Sequence, residues 1–181
     1  MYYISLLLFF ASSVCFSDIP VYPIKKLPMG PHLEIRTDGI TDLKLPLSIL
    51  KNAKLASIDG LAIMTEQHGV FTIESLSAKQ IGYPNFDMRK WPLYILGTEP
   101  KNESKKFIDE VNQTRLMLNK YNNPYKQGSF KTSVGTGFIS LGEQKTTVYL
   151  TDIKQKDLIT IITTTNMKTS DIDSILLQGV L

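Results

Sequence analysis

The chain has 181 residues, of which 43% are apolar and 20% are charged, and its formal net charge at pH 7 is +3. That length suits one packed domain, and the apolar content with so small a net charge excludes an intrinsically disordered protein. The 11 glycines and 9 prolines follow no triplet period, which excludes a collagen. The composition therefore predicts a small globular domain.

The first 17 residues have the pattern of a secretory signal peptide. The stretch from Ile4 to Ala11 is apolar except for Ser5, although no Lys or Arg precedes it. Its length fits the apolar core of a signal peptide and is short for a membrane span. Small side chains place the cleavage after Ser17, or alternatively after Ser13. We therefore expect residues 1–17 to be removed from a periplasmic or secreted protein.

The single cysteine, Cys15, lies inside this leader. A cysteine after an apolar run is also the pattern of an acylated lipoprotein, but Val14 stands where that processing favours Gly, Ala or Ser. An unprocessed N-terminal anchor is a third alternative. Cleavage after Ser17 leaves no cysteine, so we expect neither a disulfide nor a thiolate nucleophile. No later apolar stretch reaches a membrane-spanning length.

The remaining chain divides into a proline-rich extended lead-in, residues 18–31, and one domain, residues 32–181. The domain begins with patterns typical of strands and a tight hairpin turn at Gly69. The predicted elements of its first half are a strand from His32 to Arg36, a strand from Ile40 to Leu45, a helical turn from Leu47 to Ala53, and hairpin strands from Leu61 to Thr65 and from Val70 to Glu74.

The strongest helical pattern runs from Glu99 to Tyr121. Its apolar stripe consists of Phe107, Val111, Thr114 and Leu118, which recur at helical spacing. Asn102 or Ser104 can cap its start, and Asn122-Asn123-Pro124 ends it. Upstream of this helix, Pro92 is expected to block helix formation around Trp91.

Thr, Val, Ile and Tyr dominate the last third of the chain and favour strands. The predicted strands are Phe130 to Ser133, Gly137 to Leu141, Thr146 to Leu150 and Leu158 to Thr164. A polar reversal at residues 154–157 predicts that the last two pair antiparallel. A short C-terminal helix follows, with Ser170 as N-cap, an apolar stripe that includes Ile172, and Gly179 as C-terminal cap.

These elements predict an α+β fold in which an antiparallel sheet of hairpins is covered on one face by the long central helix and the short C-terminal helix. In this outline residues 33–181 resemble the small exported PsbP-like domains. The resemblance is one of fold; no motif carries it, and no functional residue is transferred by it.

The sequence predicts no catalytic residue, metal site or cofactor. Only two histidines, His32 and His68, are present, too far apart for a local metal site, and we interpret His68 as a solvated turn residue. No nucleophile elbow is present, although a triad or a carboxylate pair assembled from distant residues stays open.

Two short motifs resemble ligand loops without completing them. Gly135-Thr136-Gly137 lacks the third glycine and the following helix of a phosphate loop, so we interpret it as a close approach between strands. Asp171-Ile172-Asp173 lacks the glycine and glutamate of a calcium loop, and its acids suit the first turn of a helix. Basic and acidic residues are interspersed throughout, which argues against nucleic acid as a partner.

The aromatic and proline cluster, which comprises Tyr83 to Phe86, Trp91 to Tyr94 and Tyr121 to Tyr125, has two interpretations. Exposed Tyr and Trp anchor protein interfaces, whereas buried ones complete the edge of a core. Under the first interpretation, a protein partner contacts Trp91, Tyr94 and the charged face around Lys105 and Arg115.

The leading functional hypothesis is an exported, non-enzymatic protein-binding module. Its most concrete form is a periplasmic immunity protein that neutralises a toxin delivered by an interbacterial secretion system. The alternatives are a small envelope hydrolase and a peripheral component of a membrane complex.

Overall fold

Nine strands and three α-helices follow one another along residues 19–24, 30–36, 43–57 and 60–180, which the computed structural model describes, residues 175–180 as backbone only. The predicted signal peptide lies outside the described residues. The strands are β1 (His32–Ile35), β2 (Leu43–Pro46), β3 (Lys54–Ser57), β4 (Leu61–Thr65), β5 (Gly69–Ser77), β6 (Pro124–Lys131), β7 (Gly135–Gly142), β8 (Lys145–Asp152) and β9 (Leu158–Thr165). The helices are α1 (Trp91–Ile95), α2 (Lys105–Asn122) and α3 (Thr169–Val180), and a 3₁₀ turn, Met88–Lys90, precedes α1.

Seven of these strands form one antiparallel sheet in the order β3-β4-β5-β9-β8-β7-β6, and β1 and β2 form a separate hairpin. The predicted α+β class with an antiparallel sheet is thus confirmed. The hairpin at Gly69 is also confirmed: β4 pairs with β5, and Gly69 has a positive φ of 78°. The predicted antiparallel pairing of the last two strands is found between β8 and β9.

The two long helices lie on opposite faces of the sheet, not on one face as expected. Phe107 and Val111 of α2 pack with Tyr149 of β8, whereas Ile172 of α3 packs on the other side with Val148 and with the β1–β2 hairpin. Side chains alternate along a strand, so neighbouring buried residues in β8 face opposite sides. Both faces of the central strands are apolar, and each therefore needs a cover.

Helix α1 corrects the expectation that Pro92 blocks a helix. The proline lies in the first turn of α1. A backbone N–H in the first turn has no acceptor within the helix, so its absence costs no hydrogen bond, and the fixed φ of proline suits the helix. The structure also contains β3, which was not predicted. The strand predicted to begin at Phe130 begins earlier, at Pro124, and is β6. Gly179 lies inside α3, one residue before its last described residue, and does not cap it.

Helix α2 starts at Lys105, later than predicted, because Ser104 is its N-cap. The Ser104 hydroxyl accepts a hydrogen bond from the backbone N–H of Phe107 at 3.3 Å, as one of the two predicted caps. At the other end Asn123 adopts a left-handed conformation with φ 42°, and Pro124 begins the next strand. The predicted stop is therefore confirmed.

Residues 19–24 of the lead-in run beside β6 at the edge of the sheet. Val21 forms a parallel bridge with Ser129, whose backbone N–H donates to the carbonyl of Pro20 at 2.8 Å. The buried hydroxyl of Tyr22 donates to Oδ1 of Asp173 at 2.9 Å, which connects the lead-in to α3. Burial and this carboxylate raise the pKa of Tyr22 well above its ordinary value.

The Gly-Thr-Gly motif is a close approach between strands, as interpreted. Gly137 of β7 pairs with Phe130 of β6, and a Cβ at position 137 would lie 2.1 Å from that ring. We expect Gly137→Ala to lower the free energy of unfolding by about 1–3 kcal/mol, because the buried phenyl ring must move. Gly30→Ala is the matched control, since a Cβ there meets no atom within 4 Å. Equal urea midpoints for both variants would contradict this prediction.

Candidate functional site

Two of the residues predicted to contact a partner, Trp91 and Tyr94, lie in the core. They are 7% and 9% exposed, and their rings lie 6.1 and 6.0 Å from the ring of Phe107. A partner cannot reach these rings while the domain is folded. Their burial agrees with the alternative interpretation, in which the aromatic cluster completes the edge of the core.

The other two predicted residues have different surroundings. Arg115 joins α2 to the segment after α1: its guanidinium donates to the carbonyls of Tyr94 and Thr98 and to the carboxylate of Glu99. Its side chain is only 15% exposed, so these bonds engage most of the group. Lys105 is exposed at the start of α2, so its charge, unlike that of Arg115, is freely accessible.

A pocket of about 490 Å³ lies where the loop after β5 meets the start of α2. We call it the aromatic pocket, because Tyr83, Phe86 and Phe107 are among the residues that line it. Its remaining lining residues are Gly82, Pro84, Asn85, Asp87, Lys90, Glu103 and Ser104. The pocket thus combines an aromatic wall with two carboxylates and one ammonium group.

The carboxylate of Asp87 is held by its neighbour Arg89. The guanidinium donates from Nη2 to Oδ2 at 2.6 Å and from Nε to Oδ1 at 2.8 Å. These bonds hold the pKa of Asp87 below its ordinary value. Asp87 also accepts from the backbone N–H of Arg89 and so caps the 3₁₀ turn.

The lowered pKa of Asp87 predicts a pH-dependent contribution to stability. Because the carboxyl binds its proton more weakly in the folded state, the stabilisation is present above the unfolded pKa of about 3.9 and is lost as pH falls through the folded pKa. We expect Asp87→Asn, which keeps the cap, to cost about 1 kcal/mol at pH 7 and less at pH 2. Urea unfolding at both pH values measures this difference. Exposed Asp109→Asn serves as control, and a cost independent of pH would contradict the prediction.

The hydroxyl of Tyr83 is buried near the carboxylate of Glu110, which does not line the pocket. Burial, and then a hydrogen bond with Glu110 and the charge of that carboxylate, raise the pKa of Tyr83 to about 12. The hydroxyl therefore remains protonated at neutral pH.

Helix α2 also presents large apolar side chains to solvent. Leu116, Met117 and Tyr121 are 69%, 62% and 63% exposed, and we call these three residues the α2 patch. Lys120 borders the patch, with its ammonium 5.7 Å from the centre of the Tyr121 ring. Sequence reasoning included Tyr121 in the aromatic cluster but missed Leu116 and Met117, although Leu116 lies opposite the predicted stripe on a helical wheel and was the available signal.

His68 is not the solvated turn residue that was expected. Its Nδ1 lies 2.7 Å from Oδ2 of Asp171, and the imidazole is 28% exposed. Its backbone N–H donates to Oγ1 of Thr65 within the hairpin turn. The pair joins the β4–β5 turn to the first turn of α3, and Asp171 therefore has a specific partner beyond the helix dipole.

Within the described residues, no three His, Cys, Asp or Glu side chains come together in a way that could hold a metal ion. Over the same residues, no helix has the length and apolarity needed to cross a membrane.

Comparison of the chain with protein-family models, with curated proteins and with solved structures returns no match. The resemblance to PsbP-like domains consequently stays a prediction from the order of elements, and function must be argued from the surface itself.

Proposed function

We propose that this chain is an exported, non-enzymatic protein-binding module, most concretely a periplasmic immunity protein that binds and neutralises a toxin delivered by an interbacterial secretion system. The α2 patch carries this proposal. Leu116, Met117 and Tyr121 lie on one stretch of a rigid helix and are each more than 60% exposed. Met117 and Tyr121 are neighbours one turn apart and Leu116 extends the apolar surface around the helix, and exposed apolar surface bordered by polar residues is characteristic of protein interfaces.

The chemistry around the patch defines the partner. Lys120 lies beside Tyr121 on α2, and Lys126 follows in β6 with its ammonium 4.9 Å from the Tyr22 ring. Exposed Tyr125 lies between the patch and Lys126 in the chain. The complementary surface is therefore apolar at its centre and carries carboxylates at its rim. Tyr121 provides contact area with little loss of side-chain entropy, and the flexible Met117 can adapt its shape to the partner surface.

The test uses protein without residues 1–17 as bait in an envelope extract, with a photo-crosslinking amino acid in place of exposed Gln113, one turn before Met117, in the parent and in every variant. The double variant Leu116→Glu and Met117→Glu keeps the buried face of α2 and adds charge repelled by an acidic rim. We expect one specific partner to be captured by the parent and lost with the double variant. Ile153→Glu, at a residue 70% exposed in the β8–β9 turn, is the matched control and should retain the partner.

The immunity function has its own readout. Deletion of the gene should lower fitness in contact with sister cells, and the parent but not the double variant should restore it. Capture of no specific protein, together with no fitness loss, would overturn the proposal. Flotation with anionic liposomes that is abolished by the double variant would instead assign the patch to a membrane surface.

A second candidate function, hydrolysis, is favoured by the His68–Asp171 pair. A carboxylate on Nδ1 leaves Nε2 as the basic nitrogen, which is the arrangement of a general base. Peptidoglycan, ester and peptide substrates test this candidate with the parent and with His68→Gln. Turnover that disappears with His68→Gln in a folded protein would place hydrolysis above binding.

A further inference from the structure

We propose that the aromatic pocket binds an organic ammonium group, supplied either by a small cation or by a lysine side chain of a peptide. This site is separate from the α2 patch and goes beyond the proposed function. Two features carry the inference: the aromatic residues that line the cavity, and the carboxylate of Glu103, which has no hydrogen-bond or ion-pair partner among the described residues.

The rings form a fixed aromatic wall. The centroid of Phe107 lies 4.9 Å from those of Tyr83 and Phe86, at interplanar angles of 87° and 43°. Phe107 is only 1% exposed, so its ring supports the other two from inside the core, and the half-buried rings of Tyr83 and Phe86 are the ones that a ligand can reach. Aromatic rings attract ammonium groups through their quadrupoles, and the attraction grows when the site is partly desolvated.

The charges at the pocket favour a cation. Arg89 neutralises Asp87 through two hydrogen bonds, so this carboxylate is already satisfied. Glu103 is half-buried in the lining and makes no hydrogen bond or ion pair with any described residue. The ammonium of Lys90 is exposed and solvated, so its repulsion is screened. Glu103 is thus the group free to pair with an incoming ammonium.

A primary ammonium can donate a hydrogen bond to the Glu103 carboxylate, whereas a quaternary ammonium pairs with it through charge alone. A volume of about 490 Å³ accommodates either a quaternary ammonium or the end of a lysine side chain.

Trp91 supplies the readout, since it is the single tryptophan of the chain. Its ring lies 6.4 Å from Phe86 and 6.1 Å from Phe107, both of which line the pocket. Fluorescence titration with choline tests the small cation, and titration with a lysine-containing tripeptide tests the peptide. The neutral isostere 3,3-dimethylbutanol is the control ligand, and ligand-observed NMR repeats each titration independently of the tryptophan signal.

We expect at least one cation to bind saturably, and the neutral isostere to bind about tenfold more weakly than choline. Glu103→Gln should weaken cation binding about fivefold or more, whereas Asp109→Asn, at an exposed carboxylate outside the pocket, should not. Binding of choline alone, or of the tripeptide alone, identifies the source of the ammonium group.

The inference is overturned if neither cation binds by fluorescence or by NMR, if the neutral isostere binds as tightly as choline, or if Glu103→Gln in a folded protein has no effect. Thermal melts of both variants establish folding. Because Leu116 and Met117 take no part in this pocket, failure here leaves the proposed function intact, and failure of partner capture leaves this inference intact.

Discussion

Replacement of Phe107 by alanine is expected to lower the free energy of unfolding by about 3–5 kcal/mol. Phe107 is the ring shared by the whole aromatic cluster and is 1% exposed. Four rings contact it, namely those of Tyr83, Phe86, Trp91 and Tyr94. Removing it leaves a cavity between α2, α1 and the sheet that these large side chains cannot fill without leaving their own contacts.

Urea unfolding monitored by Trp91 fluorescence measures this loss, and circular dichroism provides a second signal. Leu116→Ala, on the exposed face of the same helix, is the matched control and should change stability by no more than about 0.5 kcal/mol. A cost below about 1.5 kcal/mol for Phe107→Ala would mean that the cluster is not the core of this face.

Replacement of Arg115 by alanine should cost about 2–4 kcal/mol, because it leaves carbonyls without their charged donor. The guanidinium bonds to the carbonyl of Tyr94 at 2.6 Å, to that of Thr98, and to Glu99 at 3.0 Å. Lysine at this position carries the charge but not the planar fork of donors, so Arg115→Lys should recover less than half of the loss.

Lys105→Ala is the comparison for Arg115, since Lys105 is exposed at the start of α2. It should leave the urea midpoint nearly unchanged. If Arg115→Ala instead folds as stably as the parent and only weakens partner capture, Arg115 contacts the partner, and its bonds to the 94–99 segment contribute little to the fold.

The elements that sequence predicted well are those specified by neighbouring residues. The hairpin at Gly69 needs a positive φ that glycine supplies without strain. The limits of α2 follow from the Ser104 cap and from the Asn123-Pro124 stop. In each case the deciding interaction spans only a few residues, so the local pattern contains it.

Features decided by distant packing were missed or misplaced. The residue pattern of β8 predicts a strand but does not indicate which helix covers each of its faces. The placement of α2 and α3 on opposite faces follows from strand pairing across the whole sheet. Helix α1 was missed because the effect of Pro92 depends on its position within the helix, which the sequence alone leaves open.

The residues of the candidate sites likewise divide into those indicated by the local sequence and those brought together only by the fold. The aromatic cluster was recognised from its composition, but the burial of Trp91 became evident only with the fold. His68 and Asp171 are separated by 103 positions, and no spacing rule connects them. The α2 patch also carried a local signal, the apolar Leu116 on the polar side of its helix.

The bond between Tyr22 and Asp173 closes a loop of 151 residues. A chain that emerges with its N-terminus first exposes Tyr22 long before its acceptor exists, and Ser129, which holds the same segment, also comes late. The lead-in therefore cannot dock before β6 is complete, and its bond to α3 forms only after the last strand of the sheet, so the edge of β6 is open to pairing with other chains until docking occurs. Aggregation during biogenesis should accordingly depend on how quickly the lead-in docks against β6 and α3.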